Sequence, residues 1–552
     1  MKSSNANFDF VAIFLILTEP FIELIYTNSF VFEFVNVIIL AGYAAVAFVI
    51  TLLISKYPNR VVRAVTLTAL ITLFLDIRVI IGGLLELQTL LAIAGIFIVT
   101  WALYLNASKI LFAVFGVIFV FIFSLPVLPQ DQEYPAADRP NGDQTDNLPV
   151  YVHIVLDEQI GTEALDEAIG NQRDLKRSTK SLFIGNGFRL FGRAYSEYFD
   201  TWDSLSAMFN AYSGENPGQL YIYKNASSNT LLRNSYLRDL FRSGYTIRVY
   251  QTSFMNFCSE AADIIQKCLT YSPFLGISSG ALAEFSWAEK LNVALSTLWR
   301  RSSITESIQE FYARAAVFAA RNGVSLPGRD IQRFVGLGPI PALPVFDQLI
   351  SDVVTAPKGT MFFAHLMIPH SPYSIDSSCQ IRRPVVDWKL ISLPVPLDND
   401  QVNTENSRAE RYDEYVDQSQ CALTKIDELI EALKSAGKFE GSTIIVHGDH
   451  GSKISRFRLR KYFQDELIDQ DYYDGFSTLF AVKAPHFVPG YDLRMLPLER
   501  LLQHAGGDAP IEPVSPEDHF VYLREESPDS TYIRVPMPEI PVVADTPQNA
   551  ND

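Results

Sequence analysis

Cysteine is scarce in this chain of 552 residues, with four in all. None of Cys258, Cys268, Cys379 and Cys421 shows the spacing of a zinc knuckle, which excludes that kind of metal module. All four follow residue 128, an arrangement that fits an oxidising compartment and two disulfides. Cys258 with Cys268 is the local pairing and leaves Cys379 for Cys421; the count alone also admits other connectivities and free thiols. Positive charge is short as well. Lysine and arginine number 45 against 62 acidic residues, for a net charge of −17 and a pI near 5.0. That balance argues against nucleic acid as a partner. The sequence has no internal repeat. Charge of either sign is missing altogether from residues 34–55, 88–105 and 110–128.

Those charge-free runs reach about 20 residues each, enough to cross a hydrocarbon core of roughly 30 Å. Two further candidates, 8–27 and 61–82, are interrupted by Glu19, Glu23, Arg63, Asp76 and Arg78. Residues 1–128 are therefore expected to form five membrane spans. Lys2, Lys56, Arg60, Arg63 and Lys109 then fall on the cytoplasmic side, Arg78 alone falls on the other, and everything after Leu128 is delivered outside. A cleaved signal peptide is the competing reading of residues 1–30, but Glu19-Pro20 and Glu23 break its apolar region and four spans follow.

Residues 129–149 are polar, with proline and glycine, and read as a linker. From residue 150 the pattern alternates strands and helices. Strands are expected over 150–156, 188–194, 245–250, 361–367, 442–446 and 477–482, and helices over 230–242 and 410–436. Such alternation predicts an open, largely parallel sheet covered by helices on both faces, with ligands at the carboxyl ends of its strands. The outer domain spans 150–540, and 541–552 is expected to be a disordered tail.

Polar clusters fall at those strand ends. Residues 444–451 run Ile-Ile-Val-His-Gly-Asp449-His450-Gly, and the glycines would let the backbone turn and leave space for a bound anion. Strand 150–156 ends in Asp157-Glu158. Asp200-Thr201-Trp-Asp203-Ser204 looks like a helix start, and His365-Leu-Met-Ile-Pro-His370-Ser-Pro-Tyr373 puts an imidazole between prolines. Transfer or hydrolysis of a phosphate ester needs a nucleophile, a cation to activate it and positive charge around the phosphoryl oxygens. Glu158, Asp449 and His450 form a set suited to Mn²⁺ or Zn²⁺. Thr201 at a helix N-terminus would be helped by the dipole and by free backbone N–H groups, and it also suits a simple N-cap.

Together these motifs resemble those of the membrane-anchored sulfatase-like phosphotransferases of the alkaline phosphatase superfamily, whose branches include lipoteichoic acid synthases and lipid A phosphoethanolamine transferases. The resemblance covers most of the chain in outline and is specific at four short motifs. It implies an alkaline-phosphatase/sulfatase-like outer domain on the periplasmic or extracellular side of a bacterial cytoplasmic membrane. It also implies one divalent ion bound by Glu158, Thr201, Asp449 and His450, with Thr201 the nucleophile that becomes phosphorylated and His370 contacting the phosphate or leaving group. The donor would be a phospholipid (phosphatidylglycerol or phosphatidylethanolamine) and the acceptor an envelope glycan or lipid.

Asp157 is the alternate ligand and Ser204, preceded by Asp203, the alternate nucleophile. No histidine follows His450 closely, which favours the glycerol-phosphate branch. No cysteine starts the Cys-x-Pro/Ala-x-Arg pattern that becomes formylglycine, which counts against sulfate-ester hydrolysis. His153, His365, His447, His486, His504 and His519 read as structural. A sulfatase-like phosphoester hydrolase and a non-catalytic lipid-sensing member of the same family are the competing functions. The second conflicts with clustered carboxylates, which repel one another without a cation.

Overall fold

Residues 151–156, Tyr-Val-His-Ile-Val-Leu, are buried on both faces, as a central strand between parallel neighbours requires. The computed structural model describes residues 2–27, 34–57, 59–77, 87–103, 106–123, 131–133, 148–169, 171–210, 222–224, 229–271, 285–286, 289, 338–383, 388–393, 397, 399–505, 511, 514–525 and 532–542. Arg78, read above as the one basic residue on the far side, lies outside them, as does the tail from 543. The chain divides into two units: Met1–Pro129 with Phe274–Gly336, and Gln130–Pro273 with Leu337–Asp552.

The first unit holds α1 (Lys2–Thr27), α2 (Phe34–Lys56), α3 (Arg60–Ile77), α4 (Leu87–Leu103) and α5 (Ala107–Ile122). Five helices thus stand where five spans were expected. Among the described residues, Asn36–Lys56 is the one helix that by itself is long and apolar enough to cross a membrane. Val117 and Val120 are each 71% exposed, whereas Asp9, Arg63 and Ser108 are buried and hydrogen-bonded to one another across α1, α3 and α5. Arg63, counted above as a cytoplasmic loop charge, is therefore an internal partner of Asp9.

The second unit is built on strands β1 (Asp131–Glu133), β2 (Tyr151–Leu156), β3 (Arg189–Tyr195), β4 (Ile222–Lys224), β5 (Asn229–Leu231), β6 (Thr246–Thr252), β7 (Met255–Asn256), β8 (Ile265–Tyr271), β9 (Thr360–Leu366), β10 (Thr443–Gly448), β11 (Phe480–Lys483), β12 (Gly490–Pro497), β13 (Phe520–Arg524) and β14 (Tyr532–Pro536). Its helices are α6 (Gln172–Gly185), α7 (Thr201–Asn210), α8 (Ser235–Arg242), α9 (Pro339–Thr355), α10 (Glu405–Ser435), α11 (Asp469–Phe476) and α12 (Leu498–Ala505). Nine strands form one sheet in the order β1-β8-β6-β9-β2-β10-β11-β3-β12. The run β8-β6-β9-β2-β10 is parallel throughout, as is β3-β12, while β11 and the edge strand β1 pair antiparallel. The expected parallel sheet is present, with β1 drawn from the stretch read as a linker.

One face packs Tyr151, Val155, Phe363 and Ile445 against Leu205 and Phe209 of α7, Leu237 of α8 and Leu501 of α12. The alternate side chains Val152, Ile154 and Leu156 are equally buried, and α6, α9 and α10 pack together on that side with β9. The expected helix 230–242 is shorter than drawn. Residues up to Leu231 pair as β5, and the Asn234 side chain then accepts from Leu237 N to cap α8. Both expected disulfides are formed, Cys258–Cys268 and Cys379–Cys421.

Glu197 lies on the connection from β3 to α7, and Glu499 is in α12, which packs against α7. Burial, reinforced by the Glu197 charge, holds the Glu499 carboxyl well above its usual range. Burial also pushes Glu197 up to about 7 against the pull of Arg534 and Arg500. Carboxyls with raised pKa values stabilise the fold while protonated, and that stability is lost as pH rises from about 4.5 through about 7. Glu499→Gln should therefore raise the thermal midpoint of the detergent-solubilised protein at pH 8 and leave it nearly unchanged at pH 5. Equal shifts at both pH values would contradict this. The Cys379–Cys421 bridge spans a sequence separation of 42, and for a loop of this length its removal by Cys421→Ser should cost about 4 kcal/mol, measured by denaturant unfolding against the oxidised parent.

Candidate active site

Three parallel strands bring the site together. In the register, Gly448 of β10 sits beside Leu156 of β2, and Leu156 beside Leu366 of β9. Asp449-His450, Asp157-Glu158 and the turn leading to His370 therefore leave the sheet at one edge. Thr201 arrives separately, as the first residue of α7, with Asp203 N and Ser204 N both donating to the Asp200 carbonyl.

His450 is the centre of the arrangement. Its Nδ1 lies 2.9 Å from the Gly451 carbonyl, which can only accept, so Nδ1 carries the proton and Nε2 presents its lone pair. Nε2 lies 3.1 Å from Thr201 Oγ1, 3.1 Å from Asp449 Oδ2 and 4.0 Å from Asp157 Oδ1. Both of those carboxylate oxygens are buried and have no hydrogen-bond partner. Acceptors crowded together in this way repel unless positive charge sits among them. Asp157 Oδ2 lies 3.1 Å from His365 Nε2, and Glu158 Oε1 lies 3.5 Å from His370 Nε2.

Among the described residues, two overlapping groups have ligand atoms close enough to hold a cation. Asp157 with Glu158 and His370 makes one, and Asp157 with His365 and Asp449 the other. Asp157, read as the alternate ligand, is thus shared by both. His365, read as structural, belongs to the second. Its position at the end of β9, two strands' width from Asp449, could be found only once the strand order was known. Thr201, His450 and Asp449 meet as expected, and Glu158 joins them through its backbone N–H, which donates to Asp449 Oδ1 at 3.0 Å. Its carboxylate instead turns toward His370 and accepts from Ser371 N at 3.2 Å.

Ser204 is committed elsewhere: its hydroxyl donates to the Asp449 carbonyl at 2.6 Å and accepts from Ser196. His447 packs inside the sheet, paired with His153 at 2.7 Å and stacked on Phe480, as expected of structural histidines. His486 reaches the His504 carbonyl, and His519 lies in contact with Tyr195. The glycines around Asp449-His450 leave no room for an anion. A Cβ on Gly448 would stand 2.4 Å from the Gln159 carbonyl oxygen, and one on Gly451 2.3 Å from that of Asp474. These glycines admit the neighbouring backbone, which fixes the loop.

Burial disfavours ionisation of Asp449, yet His450 beside it holds its carboxyl well below the usual range. Burial likewise works against protonated His450, but Asp449 overrides it and raises the pKa. The centre therefore draws positive charge into itself. Burial pushes Glu158 upward despite His370 and Lys453.

One face of α10 supports the whole edge. Arg408, Tyr412, Tyr415 and Gln418 recur at helical spacing and are all buried. Arg408 donates to Ile454 O and to Asp474, and Tyr412 reaches Ser452. Tyr415 donates to Glu158 O and accepts from Ile160 N, holding Glu158 at a φ of 68°, a left-handed conformation costing of order 1 kcal/mol or more. Gln418 donates to Pro369 O and His370 O and accepts from Ser374 N and Ile375 N. Sequence periodicity located this helix without revealing its polar buried face.

No protein-family model and no curated protein matches the chain. Among solved structures it is similar to the C-terminal periplasmic domain of EcEptC from Escherichia coli, at 12% identity, with 75% of this chain and 96% of that chain covered and a TM-score of 0.39. A phosphonate monoester hydrolase from Silicibacter pomeroyi follows at 14% identity, 68% and 80% coverage and a TM-score of 0.39. A sulfatase from Bacteroides thetaiotaomicron stands at 14%, 69% and 78%, and 0.40.

Asp157→Asn should lower the metal content of purified protein at least about tenfold, read by elemental analysis. A full metal complement in that variant would remove Asp157 from the ligand set.

Proposed function

We propose that the chain is a membrane-anchored, metal-dependent phosphotransferase of the alkaline phosphatase/sulfatase-like superfamily. It moves a phospholipid-derived phosphoglycerol or phosphoethanolamine group to an envelope glycan or lipid through a phosphorylated Thr201. One observation carries this reading. The Thr201 hydroxyl, at a helix start, lies 3.1 Å from a histidine nitrogen that also faces two buried carboxylate oxygens without hydrogen-bond partners. Those orphaned oxygens and the bare Nε2 fit a divalent cation, Mn²⁺ or Zn²⁺. Asp157, Asp449, His450 and Thr201 would hold it, with His365 and Glu158 beside them. When bound, it supplies a lowered pKa for the threonine hydroxyl and neutralises charge on the phosphoryl oxygens.

Thr201 Oγ gives up its proton to His370 as it attacks phosphorus, forming a phosphothreonine ester and breaking the bond to the diacylglycerol oxygen. That oxygen takes a proton and leaves as diacylglycerol. The acceptor hydroxyl then displaces Thr201 from the same phosphorus, giving up its proton and restoring the threonine. His370, 21% exposed and backed by Glu158, supplies and recovers these protons. Backbone N–H groups at the start of α7 favour the phosphoryl oxygens. Ser204 positions Asp449 and leaves attack to Thr201. The N-terminal helices keep the domain on the outer face of the cytoplasmic membrane, within reach of its lipid donor.

Purified protein given labelled phosphatidylglycerol and Mn²⁺ should accumulate phosphorylated Thr201, detected by peptide mass spectrometry. Thr201→Ala should lose the adduct and keep its fold, since a change at a helix start costs only about 1 kcal/mol. Folded protein with neither adduct nor released diacylglycerol would overturn the proposal.

A further inference from the structure

Shortly beyond His450 the same loop presents Lys453, whose backbone is closely fixed. Its N–H donates to the Asp474 carbonyl at 2.7 Å, Ser452 before it is bonded to Tyr412 at 2.8 Å, and the Ile454 carbonyl after it accepts from Arg408 at 2.9 Å. Lys453 is held at a φ of 58°, a left-handed conformation that a lysine adopts only under constraint. Glu158, at the same edge, is held the same way. The Lys453 side chain is partly buried, yet among the described residues its ammonium makes no hydrogen bond and no ion pair. Other buried or partly buried lysines of this unit are paired. Lys176 meets Glu163 and Glu167, Lys425 meets Asp347 and Glu428, and Lys438 donates to the carbonyls of Val353, Val354 and Ala356. Nor is Lys453 remote from the centre. Burial is the largest influence on the ionisation of Glu158, Asp449 and His450, and the Lys453 charge acts on all three beside it.

A cation felt by three groups of the centre and bonded to none of them stands off from it, with an anionic partner missing between. From this geometry we infer that Lys453 is a substrate-binding residue whose ammonium takes a non-bridging oxygen of the phosphoryl group at Thr201. An ammonium suits that place, as a compact charge with three donors that follows an oxygen as the phosphorus changes partners. Its rigid, strained backbone sets the charge in position before the substrate arrives. The inference rests on the centre binding a phosphoryl group. It adds a protein cation that touches neither the nucleophile nor the residues proposed to hold the metal ion.

Calorimetry with inorganic phosphate on full-length, Mn²⁺-loaded protein in detergent tests it without turnover. The parent should bind phosphate only when Mn²⁺ is present. Lys453→Gln should keep its Mn²⁺ complement, read by elemental analysis, and bind phosphate at least about tenfold more weakly. Lys453→Arg, which retains the charge, should recover most of that loss. Phosphate affinity within about threefold of the parent in Lys453→Gln, or equal losses in the two variants, would overturn the assignment. A second measurement needs no variant. Phosphate added to the Mn²⁺-loaded parent should slow acetylation of Lys453 by acetic anhydride and spare the exposed Lys358 any change, read by peptide mass spectrometry. Lys453 labelling that phosphate does not slow would overturn the assignment even where the variants fail to fold. A parent that binds no phosphate with Mn²⁺ present removes the reading of the centre, and this assignment with it. Parental binding that survives in Lys453→Gln removes the assignment alone.

Discussion

One imidazole nitrogen governs the site. With Nδ1 of His450 spent on the Gly451 carbonyl, Nε2 has no choice but to face Asp449, Asp157 and Thr201 with its lone pair. A nitrogen and two oxygens that all accept cannot share a dry pocket without a cation or a proton between them. Much of the unit serves to hold that unfavourable geometry. Gly451 N is fixed on Gly475 O, Lys453 N on Asp474 O, and the Asp449 carbonyl on Ser204. The α10 face then buttresses the loops at the ends of β2, β9 and β10, so one helix sets the relative positions of groups remote in sequence.

Sequence period and strand-end chemistry were enough to place the sheet, the long helix and three of the converging groups, because each depends on local pattern. Thr201, Asp449 and His450 sit in short motifs whose residue types single them out as candidates. The choice between Asp157 and Glu158 was not local. It depends on the left-handed turn at Glu158, which Tyr415 imposes from 257 residues away. His365 was hidden for a related reason: a histidine at a strand end gains meaning only when the strand order puts it beside Asp157. The glycines flanking Asp449-His450 were read for their flexibility, whereas packing against the Gln159 and Asp474 carbonyls is what requires them.

In the N-terminal unit, Asp9 and Arg63 are buried against each other, while Val117, Val120, Phe121 and Phe123 are exposed. The pairing of Arg63 with Asp9 also weakens one count in the charge bias used to orient the spans. Lys2, Lys56, Arg60 and Lys109 remain to carry it.

The central claim is that His450 Nε2 and the carboxylates around it bind one divalent cation beside Thr201. Pulsed electron paramagnetic resonance of the Mn²⁺-loaded protein measures this directly. The account requires a ¹⁴N coupling from a directly bound imidazole that vanishes in His450→Gln. A bound Mn²⁺ with no nitrogen coupling in the parent, or one whose coupling survives that substitution, would contradict it.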